Sequence, residues 1–238
     1  MIDLNNCDYK ETLSKMSKVD LVVTDPPYDI GIFKPGSGGT LNNLCKLDET
    51  LQPVNCITET NFNLQHFCEE IVQVMKKINI YIWCNKKQIV QYFNYFVNQK
   101  HCLYDILIWN KSNALPSYAN KYLTDVEYCL YFHESGLCFP QNYEDAKTVY
   151  LAPINRENKI WKHPTIKPLE FIESMIRNSS KEGDTVFDPF MGSGTTGLAC
   201  KKNNRNFIGC EINPEYFQIA ESRINGNVPK DQLTGLFS

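Results

Sequence analysis

The sequence alternates between short apolar runs and longer segments in which apolar residues recur every three or four positions. Six runs are apolar at most successive positions and are bounded by polar or turn-forming residues: 19–23, 78–83, 103–109, 126–132, 184–187 and 206–210. Runs of this kind predict strands that are buried on both faces, as in a parallel sheet covered by helices.

The intervening segments predict amphipathic helices. Residues 64–75 and 89–97 place apolar side chains at the i, i+3, i+4 and i+7 spacing of one helix face. Two further helices are predicted to begin at Pro168 and at Asn213-Pro214, because proline fits a first turn and an asparagine side chain can cap it. The alternation of strands and helices predicts an α/β fold with a doubly wound, mostly parallel sheet.

Composition limits the number of domains and the kinds of partner. The chain has 238 residues, of which 42% are hydrophobic and 21% charged, so we expect a single domain over residues 1–238. The formal net charge of −3 excludes a uniformly basic nucleic-acid coat and still allows a local basic face. Two long polar segments, 29–61 and 141–164, interrupt the pattern, and loops of this length are usually functional.

The ten cysteines lie mostly in apolar runs, and none forms a C-x-x-C pair. This pattern predicts the reduced, buried thiols of a cytoplasmic protein rather than a disulfide framework or a zinc site. The four histidines lack metal-ligand spacing, so we expect no metal. The N-terminal residues do not read as a signal peptide and no apolar stretch has membrane-spanning length, so we expect no membrane partner.

Three glycines, Gly192, Gly194 and Gly197, have the G-x-G-x-x-G spacing directly after a predicted strand. Such a turn allows close backbone approach to a ligand, and the start of the following helix favours an anionic group. Glu211 follows the next strand, 211 − 192 = 19 residues after the first glycine, where an acidic side chain can bind both ribose hydroxyls. The pattern predicts an adenosine-containing ligand, and the alternative is a plain strand-to-helix turn.

The position of this turn in the chain argues against one class of adenosine-binding enzyme. Only 238 − 197 = 41 residues follow Gly197. A dinucleotide dehydrogenase normally places a complete βαβαβ half after the motif, and this length holds one helix, one strand and one more helix. A nicotinamide enzyme is therefore disfavoured, and the other strands must come from earlier in the sequence.

A second turn, Asp25-Pro26-Pro27-Tyr28, follows the strand predicted at 19–23. Two prolines restrict the backbone, so the carboxylate and a backbone carbonyl become fixed acceptors beside an aromatic ring. Such a trio can bind an exocyclic amino group and stack its base, and the alternative is an ordinary proline-rich turn. Because Asp25 and Asp188 both lie at the carboxyl ends of predicted strands, we expect the two turns to face one pocket.

Together the two turns resemble the motifs of the β-class amino-group DNA methyltransferases, which transfer a methyl group from S-adenosylmethionine to adenine N6 or cytosine N4. The matching segments are Asp25-Pro26-Pro27-Tyr28, Asp188-Pro189-Phe190-Met191-Gly192-Ser193-Gly194-Thr195, His163-Pro164-Thr165-Ile166-Lys167-Pro168 and Asn6-Cys7-Asp8. In the last of these the family often has Gly-Asp. The resemblance covers most of the chain and implies a seven-stranded, Rossmann-like sheet with a permuted motif order, in which the catalytic motif comes early and the cofactor motif late.

The resemblance also implies roles for individual residues. Asp188 would bind the amino group of the cofactor, and Thr165 and Lys167 its carboxylate. Glu211 would bind the ribose and Asp8 the adenine edge, although a cap or turn role is the alternative for Asp8. The implied cofactor-binding set is Asp8, Thr165, Lys167, Asp188, Phe190, Gly192, Ser193, Gly194, Thr195 and Glu211, and the implied catalytic set is Asp25, Pro26, Pro27 and Tyr28.

The implied activity is direct methyl transfer to a flipped-out base of double-stranded DNA. Adenine N6 is preferred, because an aspartate rather than a serine opens the catalytic motif. Segments 29–61 and 141–164 are the candidate target-recognition loops, and the lack of a large recognition domain favours a short target site or a homodimer. The alternatives are cytosine N4 methylation, methylation of RNA or of a protein amide, and a non-catalytic cofactor-binding module.

Overall fold

The fold is built on one mixed β-sheet. The computed structural model of the protein describes residues 1–27, 62–114, 122–154, 160–161, 163 and 166–227. The strands in these ranges are β1 (Ile2–Asn5), β2 (Leu21–Thr24), β3 (Asn79–Cys84), β4 (Leu103–Lys111), β5 (Val126–His133), β6 (Val149–Ala152), β7 (Thr185–Asp188) and β8 (Asn206–Cys210). These eight described strands have the order β1-β8-β7-β2-β3-β5-β4-β6.

Most neighbouring strands run parallel. Within the described sheet, five of the seven neighbouring pairs are parallel, and β5 runs antiparallel to both β3 and β4. All six apolar runs form strands, which confirms the mostly parallel α/β prediction. The number of strands is corrected from seven to eight, because β6 pairs with the outer side of β4. Its four residues, VYLA, form an apolar run that is shorter than most of the others and lies inside the polar segment 141–164, which is therefore not a loop throughout.

The described helices pack on both faces of this sheet. They are α1 (Tyr9–Leu13), α2 (Leu64–Gln73), α3 (Ile89–Phe93), α4 (Leu169–Ser179), α5 (Thr195–Lys202) and α6 (Pro214–Asn225). The predicted helix starts are confirmed: α4 begins directly after Pro168, and the Asn213 side chain accepts hydrogen bonds from two backbone N–H groups of α6. After Phe93, α3 continues as a π-helical turn, Asn94–Gln99.

The two faces of β3 illustrate why the sheet is buried on both sides. Ile80 and Ile82 point into the core that α2 and α3 cover, whereas Tyr81 and Trp83 point into the core that α4, α5 and α6 cover. All four side chains are at most 2% exposed. Because successive side chains on a strand face opposite ways, a continuously apolar strand requires helices on both faces. The doubly wound prediction is confirmed.

The topology brings the ends of four parallel strands to one edge of the sheet. Strands β1, β8, β7 and β2 are consecutive neighbours and all run in the same direction. The segments that follow them contain Asp8, Glu211, the glycine turn and Asp25. In open α/β sheets this edge is where ligands bind. Early and late parts of the sequence therefore meet at the same edge, as the permuted motif order requires.

The cysteine thiols of the described ranges are free. Burial raises the pKa of Cys84 to about 12 and that of Cys102 to about 11. Thiols with such pKa values are protonated at neutral pH and are poor nucleophiles. The described residues contain no cluster of three or more His, Cys, Asp or Glu side chains suited to a metal ion. None of the helices described above is long and apolar enough to cross a membrane.

Candidate active site

Asp25 follows β2 and is held by a cation from a distant part of the chain. Lys167 Nζ donates a hydrogen bond of 2.6 Å to Asp25 Oδ2. The other oxygen, Asp25 Oδ1, is buried and has no hydrogen-bond partner among the described residues. Lys167 occupies the last position before Pro168 and α4, so the start of this helix places the ammonium group. The contact fixes the carboxylate through one oxygen and leaves the second as an acceptor.

Lys167 has a second carboxylate partner. Its Nζ lies 3.0 Å from Glu127 Oε2 on β5 and 4.8 Å from the centre of the Trp83 ring. Lys111 Nζ lies 2.8 Å from Glu127 Oε1. Burial acts to raise the pKa of Glu127, but the cations Lys167 and Lys111 outweigh this effect and hold its pKa below the ordinary value. The structure places Lys167 against Asp25 and Glu127, whereas the resemblance implied a contact with the cofactor carboxylate.

Gln88 contacts the proline turn after Asp25. The Gln88 Nε2 group donates to the carbonyl of Pro27 at 3.4 Å, and Gln88 is only 2% exposed. Gln88 is oriented by Asn85, whose backbone N–H donates to Gln88 Oε1 at 3.2 Å. Gln88 was not among the predicted site residues, although it belongs to a polar segment directly after β3, the strand beside β2. The predicted residues Tyr28 and Thr165, and segment 29–61, lie outside the described residues.

The glycine turn follows β7 and is shaped by contacts with α6. Gly192 and Gly194 have φ angles of +48° and +76°, in the left-handed region that favours glycine. A Cβ atom on Gly194 would lie 2.9 Å from the Cα atom of Ala220. Gly194 therefore allows α6 to pack closely on the turn. A Cβ atom on Gly192 would instead approach His163, at 3.2 Å from Nε2.

Ser193 and Thr195 are bound to a buried arginine. Arg223 of α6 donates to the Ser193 carbonyl at 2.7 Å, and to Ser193 Oγ and Thr195 Oγ1 at 3.0 Å each. Arg223 is 4% exposed. The hydroxyl groups of both residues therefore help to hold the turn against α6. Arg223 was missed because, in sequence, it looks like an ordinary basic residue in the last turn of a helix.

Asp188, at the end of β7, is buried among neutral donors. Its Oδ1 atom accepts from the Phe190 backbone N–H at 3.1 Å, and its Oδ2 atom accepts from Thr196 Oγ1 at 2.7 Å. Burial raises the pKa of Asp188 to about 7, although these hydrogen bonds act in the opposite direction. The nearby charge of Asp25 also raises this pKa, so the two carboxylates are close enough to interact.

Glu211 connects the glycine turn to α6. Its Oε2 atom accepts from the Gly192 backbone N–H at 3.0 Å, and its Oε1 atom accepts from the Asn213 backbone N–H at 2.8 Å. Burial raises the pKa of Glu211, and these hydrogen bonds act in the opposite direction. Asn6 Nδ2 donates to the Glu211 carbonyl at 2.7 Å, which brings the segment after β1 beside the same turn.

Asp8 and Phe190 lie beside this turn. The Asp8 side chain caps α1 by accepting from the Lys10 backbone N–H at 2.9 Å. Phe190 packs against Tyr9, with ring centres 5.1 Å apart, and against Phe67 at 5.6 Å. The structure therefore gives Asp8 the cap role that the sequence left as an alternative, and it places Phe190 in an aromatic wall.

Comparisons with known proteins identify the family of this chain. A family model described as DNA methylase (N6_N4_Mtase) matches residues 19–222. The chain is 28% identical to the Type II methyltransferase M2.LlaDCHI of Lactococcus lactis subsp. cremoris, over 89% of this chain and 84% of that protein. It is also 28% identical to the Type II methyltransferase M2.DpnII of Streptococcus pneumoniae, over 93% of this chain and 88% of that protein.

A solved methyltransferase structure has a similar fold. The crystal structure of the M1.HpyAVI–SAM complex superposes with a TM-score of 0.69, at 29% sequence identity, and covers 94% of this chain and 100% of that chain. The Rossmann-like methyltransferase fold and the family resemblance are thereby confirmed. Because the family model matches most of the sequence, the chain belongs to the N6/N4 DNA methylase family.

Proposed function

We propose that the protein uses S-adenosylmethionine to methylate the N6 amino group of an adenine that is flipped out of double-stranded DNA. Membership of the DNA methylase family supports methyl transfer to DNA. The observation that carries the proposal is the state of Asp25: Lys167 holds one carboxylate oxygen at 2.6 Å, while the other is buried without a partner among the described residues. A buried acceptor of this kind suits the N–H group of an incoming amine.

The residues around the glycine turn fit S-adenosylmethionine. The carboxyl group of Asp188 has neutral hydrogen-bond donors, so it can accept the ammonium group of the cofactor. Glu211 is an acceptor at the neighbouring strand end, where a ribose is expected. Phe190 and Tyr9 offer an apolar wall for the adenine ring. When bound, the cofactor supplies an electrophilic methyl group on a sulfonium sulfur.

The catalytic task of this chain is to make a weak nucleophile reactive. The lone pair of an exocyclic amine is delocalised into the base. In the proposal, Asp25 Oδ1 and the Pro26 carbonyl oxygen accept hydrogen bonds from the two N–H groups of the amine. These hydrogen bonds orient the nitrogen and stabilise the positive charge that develops there. The amine must leave the duplex to reach these acceptors. Tyr28 would stack on the base, as the resemblance implies.

The choice of adenine over cytosine rests on Asp25, because an aspartate at this place favours adenine in the resembled family. The same acceptors could also bind the N4 amino group of cytosine, which remains the second candidate. Segments 29–61 and 141–164 are proposed to read the target sequence, because loops on a rigid scaffold commonly carry recognition. The edge strand β6 would then present part of the second segment to the DNA.

The experiment compares methyl transfer by the wild type and by Asp25→Ala, with labelled S-adenosylmethionine and double-stranded DNA. We expect the variant to lose about a thousandfold in rate, because the acceptor of the developing charge is gone. Its affinity for S-adenosylmethionine should stay within about twofold of the wild type. Asp105→Ala, which removes an exposed carboxylate on β4, is the control.

Two readouts separate the alternatives. Nucleoside analysis of the product distinguishes N6-methyladenine from N4-methylcytosine, and the latter would replace only the choice of base. Equal rates for the wild type and Asp25→Ala would refute the proposed role of Asp25. Methyl transfer to RNA or to protein but not to DNA would refute the proposed substrate.

A further inference from the structure

Four side chains of alternating charge contact one another in a row that begins with Lys111 at the end of β4 and ends with Asp25. Lys111 contacts Glu127 at 2.8 Å, Glu127 contacts Lys167 at 3.0 Å, and Lys167 contacts Asp25 at 2.6 Å. The side chains of these residues are 14%, 19%, 8% and 29% exposed, in the same order. The antiparallel pairing of β4 and β5 brings Lys111 and Glu127 together, and Lys167 comes from the segment before α4.

Stability alone does not account for this row of ion pairs. Charges that are taken out of water lose solvation, and buried ion pairs are often no more stabilising than apolar side chains of the same volume. Yet Lys167 lies over the ring of Trp83, where an apolar side chain would pack well. The arrangement instead has an electrostatic consequence at Asp25, because Lys167 is shared between two carboxylates.

Without Glu127, less of the Lys167 charge would be compensated beside Asp25. A cation at 2.6 Å from Asp25 Oδ2 weakens the negative potential at Oδ1, where a developing positive charge needs it. Glu127, whose Oε2 atom lies 3.0 Å from Lys167 Nζ, offsets part of that positive charge. Lys111 in turn compensates Glu127 and limits this offset.

We propose that Glu127 is a positioning residue for the methyl-transfer reaction, acting through Lys167 to keep Asp25 Oδ1 an effective acceptor. This inference rests on the proposed function of Asp25. It assigns a catalytic effect to a residue on β5 that belongs to neither of the sequence motifs. The effect depends on the charge of Glu127 and on the balance between its two lysine partners.

The first test is Glu127→Gln, which keeps the shape of the side chain and removes its charge. We expect kcat to fall by about tenfold or more, because the charge of Glu127 no longer offsets that of Lys167 beside Asp25. The KM for DNA and the Kd for S-adenosylmethionine should stay within about twofold, since neither ligand is proposed to touch Glu127. Thermal unfolding checks that the variant is folded.

The second test adds Lys111→Met to Glu127→Gln. In the double variant, the net charge of these four side chains is the same as in the wild type, because one cation and one anion are removed together. We expect it to recover at least about threefold in kcat over Glu127→Gln. A merely structural role predicts the reverse, since a second buried partner is lost. The double variant also keeps the proposal testable should Glu127→Gln fail to fold.

A matched control is available on α4. Glu173 is also flanked by two cations, at 2.8 Å from Lys202 and 3.7 Å from Arg177, and its side chain is 14% exposed. Glu173→Gln should leave kcat within about twofold of the wild type, because neither cation touches Asp25. Glu173→Gln therefore measures the general effect of neutralising a mostly buried carboxylate.

The outcomes separate this inference from the proposed function. If Glu127→Gln keeps the wild-type kcat, or if the double variant is slower than Glu127→Gln, the inference is wrong although the wild type still methylates DNA. If the wild type transfers no methyl group to DNA, the proposed function itself is wrong. A loss of kcat in Glu173→Gln as large as that in Glu127→Gln would also overturn the inference.

Discussion

Two carboxyl groups end neighbouring parallel strands of the same sheet, and their surroundings are opposite. Asp25, after β2, is paired with a lysine at 2.6 Å and its side chain is 29% exposed. Asp188, at the end of β7, is 4% exposed and accepts from a hydroxyl and a backbone N–H group. Burial raises its pKa to about 7. The topology decides where both groups lie, and the neighbouring side chains decide which charges and hydrogen-bond donors each group faces.

In the proposed function, the difference separates two tasks at one edge of the sheet. A carboxylate that stabilises a transient positive charge needs its acceptor oxygen in place before the reaction starts, and Lys167 holds Asp25 by the other oxygen. A buried carboxyl group with neutral partners resists ionisation until a cationic ligand arrives. The predictions below test this division, from the largest expected effect to the smallest.

The substitution Lys167→Met tests whether the lysine acts on Asp25 or binds the cofactor. We expect kcat to fall by about a thousandfold, because Asp25 loses the contact that orients it. The Kd for S-adenosylmethionine should change by less than about threefold. The variant should also lose about 3 kcal/mol in free energy of unfolding, because Glu127 keeps only one cation partner.

Kinetics, calorimetric titration and urea unfolding measure these three quantities. Lys202→Met, which removes a half-exposed lysine paired with Glu173, serves as the control. An unchanged kcat together with a hundredfold weaker binding of S-adenosylmethionine would move Lys167 to the cofactor side of the crevice. That is the role that the family resemblance implied.

The substitution Gly194→Ala tests how the cofactor side is built. The new Cβ atom would meet Ala220 at 2.9 Å on a backbone with φ of +76°, so we expect a loss of about 3 kcal/mol in free energy of unfolding from strain and overpacking together. Gly136 has nearly the same φ, +79°, and nothing within 4 Å of an added Cβ atom. Gly136→Ala should therefore cost only about 1 kcal/mol. Equal losses in urea unfolding would contradict the packing role of Gly194.

The substitution Asp188→Asn tests the buried carboxyl group directly. We expect the affinity for S-adenosylmethionine to fall by about a hundredfold, because a charge-assisted hydrogen bond to the ammonium group is lost. The ligand-free variant should be more stable than the wild type above pH 7. The pKa of Asp188 is higher in the folded chain, so its contribution to stability is full below pH 4 and is lost as the pH rises through 7. A stability difference that does not depend on pH would contradict this assignment.

Sequence patterns could predict most of the sheet. Six strands were recognisable by their apolar runs, which strands buried on both faces produce. The strand β4 departs from that reason, because its first four residues are exposed. The strands β1 and β6 were not predicted: β1 (IDLN) alternates apolar and polar residues over only four positions, and β6 (VYLA) is a short apolar run inside the polar segment 141–164. The common edge for Asp25 and Asp188 was also predictable, since the carboxyl ends of parallel strands in an α/β fold lie at one edge of the sheet. That their strands are neighbours was not predicted.

The partners of the site residues could not be predicted in this way. Lys167 and Asp25 are 142 positions apart, and their contact depends on how α4 approaches the sheet. Arg223 lies in the last turn of α6, where basic residues are favoured by the helix dipole and normally face solvent. Only the close packing of α6 on Gly194 turns this side chain into the buried partner of Ser193 and Thr195.

The pH dependence of cofactor binding gives the finest test of the comparison between the two carboxyl groups. Burial raises the pKa of the ligand-free Asp188 to about 7, so below pH 7 it is increasingly protonated. In the proposed binding mode, the ammonium group of S-adenosylmethionine binds only after that proton leaves. We expect the Kd of the wild type to rise by about tenfold for each unit that the pH falls below 7. Asp188→Asn should show no such slope, whereas Glu211→Gln should keep it, although burial raises the pKa of Glu211 as well. Calorimetric titration from pH 5 to 8 measures the slope, and a flat profile for the wild type would show that Asp188 is already ionised before the cofactor binds.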